Sequence, residues 1–198
     1  MLREINENWI TGDKLLTADD EAAVVCNDCA GCSECCTETG CMIVLDSFDV
    51  KLMVKELNYS FEGLLSAGLI KLEVIDGIVL PGLGTDEKGA CVFLEKNGRC
   101  SIHSARPGIC RLFPLARIYH EDGSFSYFLQ ESECGRRTGE KIRISDWLGY
   151  KDMDEYEKQV RIYHDALTEL KEKCRRAKTA EEVTALQSAF LKKWFINA

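Results

Sequence analysis

Proline and histidine are scarce, three of each in 198 residues, and no apolar run approaches the length needed to span a bilayer. Charge or glycine breaks each such run well before the roughly 18 residues of a spanning helix, so no membrane partner is expected. The amino-terminal stretch MLREINENWITGDK has no apolar stretch of the secretory type, and a reducing, cytoplasmic location is the expectation. Excess basic charge is also missing: 25 Lys and Arg face 33 Asp and Glu, for a net charge of −8. A chain of that sign has no general attraction for phosphate backbones, and no nucleic-acid partner is expected. Residues 1–100 carry 8 basic and 18 acidic side chains, residues 101–198 carry 17 and 15, so the first half is the acidic one. No serine, histidine and carboxylate combination stands out as a hydrolase triad.

What is abundant is cysteine. Eleven occur, five of them between positions 26 and 36 in the run CNDCAGCSECC. The total is odd, and adjacent Cys35 and Cys36 are poorly placed to cross-link, so disulfide staples are the weaker explanation and metal-binding thiolates the stronger. Two residues between cysteines let the chain turn so that both sulfurs reach one metal, and the turn's N–H groups soften the thiolate charge. Further sulfur is available at Cys91, Cys100, Cys110 and Cys134. If these join Cys29, Cys32, Cys35 and Cys36, eight thiolates could complete two four-sulfur sites, or one cluster with thiols to spare. Four thiolates around a divalent metal or a doubly charged cluster core keep a formal charge near −2, which calls for nearby cations. Arg106 and Arg111, close to Cys110, are assigned to that supporting role. Cys26 and Cys41 are open between ligand and bystander, His103 is a lesser nitrogen candidate, and Cys174 lies on an apolar helix stripe as a buried thiol.

The remaining pattern predicts an α+β fold: a small hairpin-rich cysteine and metal-cluster domain with short helices, plus a C-terminal antiparallel helical hairpin. Residues 1–25 form a lead-in with a short strand at 23–25. A helix capped by Asp46 and ending near Asn58 is followed by one capped by Ser60 and stopped by Gly68. Asp76-Gly77 closes a two-residue hairpin in LIKLEVIDGIVL. Further strands are expected at 91–94 and 99–102 around Asn97-Gly98, and at 115–120 and 124–129 around Asp122-Gly123. Met153, Tyr156, Val160, Tyr163, Leu167, Leu170 and Cys174 recur at steps of three and four along a helix from about 152 to 176. Thr179 and Glu182 form a capping box for a last helix. The domains follow as 1–25, 26–140 and 145–198, the last packed on the second.

The set CNDCAGCSECC, CVFLEKNGRCSIHSARPGICRLFPL and SECG resembles the YkgJ-like cysteine-cluster family, the zinc- or iron-chelating CxxCxxCC domain, over roughly residues 26–140. The motif falls on Cys29, Cys32, Cys35 and Cys36. The family's second block falls on Cys91, Cys100, Ile102, Arg106, Pro107, Cys110, Arg111, Phe113 and Pro114, and its late cysteine–glycine on Cys134 and Gly135. The resemblance implies a metal-chelating domain. The family includes a flagellin lysine N-methylase that uses S-adenosylmethionine and an iron–sulfur centre, although the C-terminal helices lie outside the matched region. Gly82-Leu83-Gly84 lacks the third glycine of a dinucleotide fingerprint, and the ferredoxin spacing fails after Cys35. Thiolate ligation suits zinc and iron alike; three consecutive CxxC steps favour a four-iron cluster, with Zn²⁺ the alternative. The expected function is a cytoplasmic metal-binding protein that binds a protein partner. An S-adenosylmethionine-dependent lysine methyltransferase or a redox enzyme is the alternative.

Overall fold

The computed structural model describes residues 15–26, 33–37, 43–130, 134 and 137–197. Its elements are mixed, confirming the α+β class: short helices and two-stranded antiparallel pairs lead into a C-terminal helix pair. No helix among the described residues is long and apolar enough to cross a membrane.

Two apolar cores organise the chain. The first forms around helix α2 (Ser47–Leu57) and helix α3 (Phe61–Ser66), with the hairpin of β2 (Ile70–Ile75) and β3 (Ile78–Leu83) packed against them. Asp46 caps α2 by accepting from Asp49 N at 2.8 Å, and Asp49 reciprocates by accepting from Asp46 N at 3.1 Å. Asn58 ends α2 in the left-handed region, and Ser60 caps α3 through Gly63 N at 3.0 Å. The hairpin turns at Asp76 and Gly77, both at positive φ, as the type I′ geometry requires.

The second core gathers Val24, Leu112, Leu115, Tyr127, Ile144, Leu148, Tyr156 and Val160. Here β4 (Leu115–Tyr119) pairs with β5 (Phe125–Leu129), and Leu16 extends that pair by exchanging 2.8 Å backbone bonds with Tyr127. The short strand expected at 23–25 forms instead as β1 (Glu21–Ala22), because its partner β6 (Ile142–Arg143) pairs only with those two residues. Val24 turns into the core, and the Val25 carbonyl accepts from Thr138 N at 2.8 Å and from the Thr138 hydroxyl at 3.2 Å. A one-turn helix, α4 (Gly108–Leu112), precedes β4, and α5 (Ile144–Leu148) follows β6; the sequence pattern anticipated neither.

Helix α6 (Met153–Arg176), capped by Asp152, joins the two cores. Its stripe places Tyr156 and Val160 in the second core and Tyr163 and Leu170 in the first. Helix α7 (Ala180–Leu191), capped by Thr179, folds back on it and continues as a π-helical turn, Lys192–Ile196. Phe195 then stacks on Phe61 at 5.7 Å and Tyr163 meets Trp194 edge-on at 5.6 Å. Buried Gln187 on α7 accepts from Val79 N and donates to Gly77 O, pinning the β2–β3 hairpin to the helix pair.

Where the chain leaves that hairpin, Gly84 permits a close approach: a Cβ there would stand 2.2 Å from the carbonyl oxygen of Gly68. Backbone cannot swing aside as a side chain can. Gly84→Ala is therefore expected to lower stability by about 2–3 kcal/mol, the scale of an overpacked interior. Urea unfolding of the two proteins checks it.

Candidate metal centre

Cys35 and Cys36 sit on α1 (Glu34–Thr37), a single turn closed by Cys36 N and Thr37 N donating to Ser33 O, both at 2.8 Å. The Thr37 hydroxyl adds a bond to the same carbonyl at 3.1 Å. This turn leaves the two sulfurs 3.9 Å apart. The Cys36 carbonyl accepts from Cys91 N at 2.8 Å, so the two cysteine-bearing loops are joined through backbone.

Cys91 is presented by an Asx turn in which Asp86 Oδ1 accepts from Lys88 N and Ala90 N, each at 2.9 Å. The strands expected at 91–94 and 99–102 are not formed. Isolated bridges, Thr85 with Cys91 and Leu94 with Cys100, stand in their place. Turns at Gly89 and Gly98, both at positive φ, reverse the chain too often for a ladder to grow. Buried Phe93 and Ile102 tie this irregular stretch to the first core.

Cys110 rides on α4, and the start of that helix is fixed by a buried carboxylate. Asp49 Oδ1 accepts from Gly108 N at 2.7 Å, and Asp49 is 3 % exposed. Burial and the neighbouring Asp46 carboxylate push the Asp49 carboxyl well above its usual range. Glycine at 108 lets α4 start close against Tyr156: an added Cβ would lie 2.8 Å from the Tyr156 hydroxyl, which would have to shift. Arg111 braces the same loop: its Nε donates to Arg106 O at 3.1 Å, its Nη2 donates to Ser104 O, and its guanidinium lies 5.2 Å from the Tyr150 ring centre.

These placements put Cys91 and Cys110 within electrostatic reach of both Cys35 and Cys36, and Cys100 within reach of Cys35, Cys91 and Cys110. The bond from Cys36 holds Cys35 down at about 7, with the Arg106 cation contributing, while the Cys36 thiol is driven up by that shared proton and by burial. Burial raises Cys91, Cys100 and Cys110, and the neighbouring sulfurs raise them further. Arg106 also draws Cys100 down. Its Nη1 contacts His103 Nε2 at 3.0 Å, which places that histidine beside the arginine. Cys134 lies between β5 and β6, its carbonyl accepting from Arg137 Nε at 3.2 Å. The segment after it bonds to Ala23 and Val25, immediately before Cys26. Cys174 is partly buried against the first core. Cys29, Cys32 and Cys41 lie outside the described residues. Among the described residues, no group of three or more His, Cys, Asp or Glu side chains is assembled closely enough to hold an ion. The donor chemistry is all sulfur, which suits zinc or iron.

The Asp49 anchor escaped sequence reasoning. Its signal was the Asp46-x-x-Asp49 spacing, a carboxylate variant of the capping box, but nothing in the spacing shows that the second oxygen is aimed at Gly108.

The sulfur constellation and the Arg106-Pro107-Gly108 turn belong to one contiguous pattern: residues 28–135 match the CxxCxxCC family, described as "Putative zinc- or iron-chelating domain". The chain belongs to this family. No curated protein and no solved structure matches it. The CxxCxxCC match covers α1 through Cys134 and stops before α6 and α7.

Proposed function

We propose that zinc or iron is held as thiolates, four to a centre, by cysteines of the set Cys29, Cys32, Cys35, Cys36, Cys91, Cys100, Cys110 and Cys134, with Arg106 and Arg111 in support. In this account the chain is a metal-stabilised module that presents its folded surface to a protein partner in a reducing compartment, the cytoplasm. The observation that carries the reading is the convergence of α1, the 84–102 loop and α4, three segments distant in sequence that share little besides cysteine.

The nature of the centre divides into two readings. Three consecutive CxxC steps favour a four-iron cluster. The 3.9 Å between the Cys35 and Cys36 sulfurs favours a single tetrahedral ion. Four sulfurs about 2.3 Å from one zinc stand roughly 3.8 Å apart, whereas ligands on separate irons of a cluster are spread more widely. Either centre, when bound, supplies a multivalent cross-link. Arg106 offsets its residual negative charge, and the buried Asp49–Gly108 bond fixes the direction from which Cys110 approaches. A redox or methyl-transfer activity would need a coordination position left open, so the ligand count separates that alternative from a closed site.

Metal and acid-labile sulfide analysis of anaerobically purified protein, with its visible spectrum, tests the proposal. Stoichiometric zinc in a colourless protein supports the single ion, and iron with equivalent sulfide and broad brown absorbance supports the cluster. A protein without either metal after anaerobic purification and reconstitution contradicts both.

A further inference from the structure

One edge of the β2–β3 hairpin is covered, and among the described residues the other is open. On the β3 side, Val79 N donates to Gln187, Pro81 O accepts from Leu45 N, and Leu83 N donates to Ile43 O. Those three residues therefore direct their backbone groups away from β2. Their cross-strand partners Val74, Leu72 and Ile70 must direct theirs away from β3, because opposed residues in an antiparallel pair face inward or outward together. Among the described residues, no hydrogen bond reaches those outward groups of Leu72 or Val74. The side chains on this open edge are apolar as well: Leu72 is 40 % and Val74 70 % exposed. On the other face of the strand, Lys71 and Glu73 form a 2.6 Å ion pair, the two side chains 39 % and 41 % exposed.

An open edge accepts another strand, and the charge pattern selects which one. In an antiparallel self-pairing, outward-facing residues must meet outward-facing residues, so the register shifts in steps of two. Centring on Leu72 sets Leu72 opposite its own copy and Ile70 opposite Val74. It also sets Lys71 opposite Glu73 at both of the closely spaced positions. Moving the centre to 71 puts lysine against lysine, and moving it to 73 puts glutamate against glutamate, each unfavourable directly across a sheet. We propose that β2 is a homodimerisation edge, pairing antiparallel with β2 of a second copy about a two-fold axis at Leu72 to make a four-stranded sheet. The pairing is isologous, as a two-fold dimer demands, and the opposed Lys71–Glu73 arrangement makes the strand complementary to itself. An interface of one strand edge is small, which places the dissociation constant on the order of micromolar.

Sedimentation equilibrium over about 1–300 µM, spanning that range, tests the proposal with charge variants. Lys71→Glu and Glu73→Lys each set like charges opposite one another twice in a homodimer, and each is expected to weaken self-association about tenfold or more. Mixing the two variants restores complementarity, because each then offers the charges the other lacks. The mixture should associate as tightly as wild type. Far-UV circular dichroism and metal content equal to wild type show that a monomeric variant is folded. A wild-type chain that stays monomeric throughout, leaving the edge to a foreign strand, overturns the inference. So does a Glu73→Lys variant that dimerises unchanged, or a mixture that fails to associate. None of these outcomes depends on which metal the cysteines hold.

Discussion

Chelation of the metal is expected to release residues 84–106 while the α6–α7 pair stays folded. That stretch contains no helix longer than the three-residue turn His103–Ala105 and no strand, only turns and isolated bridges. Its large core side chains are Phe93 and Ile102. Burying each stabilises by roughly 1.5–3 kcal/mol, against roughly 1–2 kcal/mol for ordering each backbone residue. Apolar burial alone therefore falls short. A structural zinc contributes on the order of 10–16 kcal/mol in small zinc domains, more than the two buried side chains together. By contrast, α6, α7 and the turn that continues α7 carry four large buried side chains, Tyr163, Leu170, Phe190 and Phe195, on regular helix. Hydrogen exchange before and after chelation checks the expectation. Amides such as Gly98 and Ser101 should exchange at least tenfold faster in the apo protein, with those of α6 unchanged. Uniform protection of both regions would show that the metal does not organise the loop.

Asp49→Ala should be nearly as damaging. Asp49 accepts from Gly108 N and Asp46 N, and its removal orphans a buried donor at the start of α4 and opens the cap of α2. An unsatisfied buried donor costs about 1–3 kcal/mol and a lost cap about 1 kcal/mol, so a loss of about 3 kcal/mol is expected. Metal binding should suffer too, because Cys110 lies two residues along the same helix. Two effects oppose each other there. Removing the carboxylate takes away a negative charge that disfavours the Cys110 thiolate, while removing the anchor frees the direction of its approach. Losses of support behind a ligand commonly cost ten- to a hundredfold in affinity, and the anchor is expected to dominate. Asp49→Asn separates the two, since it removes the charge and keeps one acceptor oxygen. Competition with a chromophoric chelator should rank the affinities as wild type, then Asn, then Ala. An Ala variant that binds as tightly as wild type would show that the Asp49–Gly108 bond does not position the site.

The elements legible from sequence were those with local signals. Asp46, Ser60 and Thr179 each marked a helix start because a cap acts through its own N3 amide. Asp76-Gly77 marked the hairpin because few residue pairs tolerate two positive φ angles. The stripe on α6 gave the helix but not its role in joining two cores, since periodicity shows which face is buried and not against what. The strands expected around Asn97-Gly98 failed for the opposite reason. Their turn signal was sound, with Glu95 N donating to Arg99 O, but the neighbouring turns left no length for a ladder. The cysteines were legible as chemistry from their spacing. Gln187, which pins β3 from α7, and Asp49, which holds α4 from α2, act over 108 and 59 residues of chain and leave no local trace.

The central claim, that sulfurs from α1, the 84–102 loop and α4 share one inorganic centre, is tested most directly by metal content in single substitutions. Cys35→Ser, Cys91→Ser and Cys110→Ser, purified alongside wild type and a Cys174→Ser control, should each lose most of the bound zinc or iron, while the control keeps it. Full metal occupancy in all three loop variants would contradict the claim.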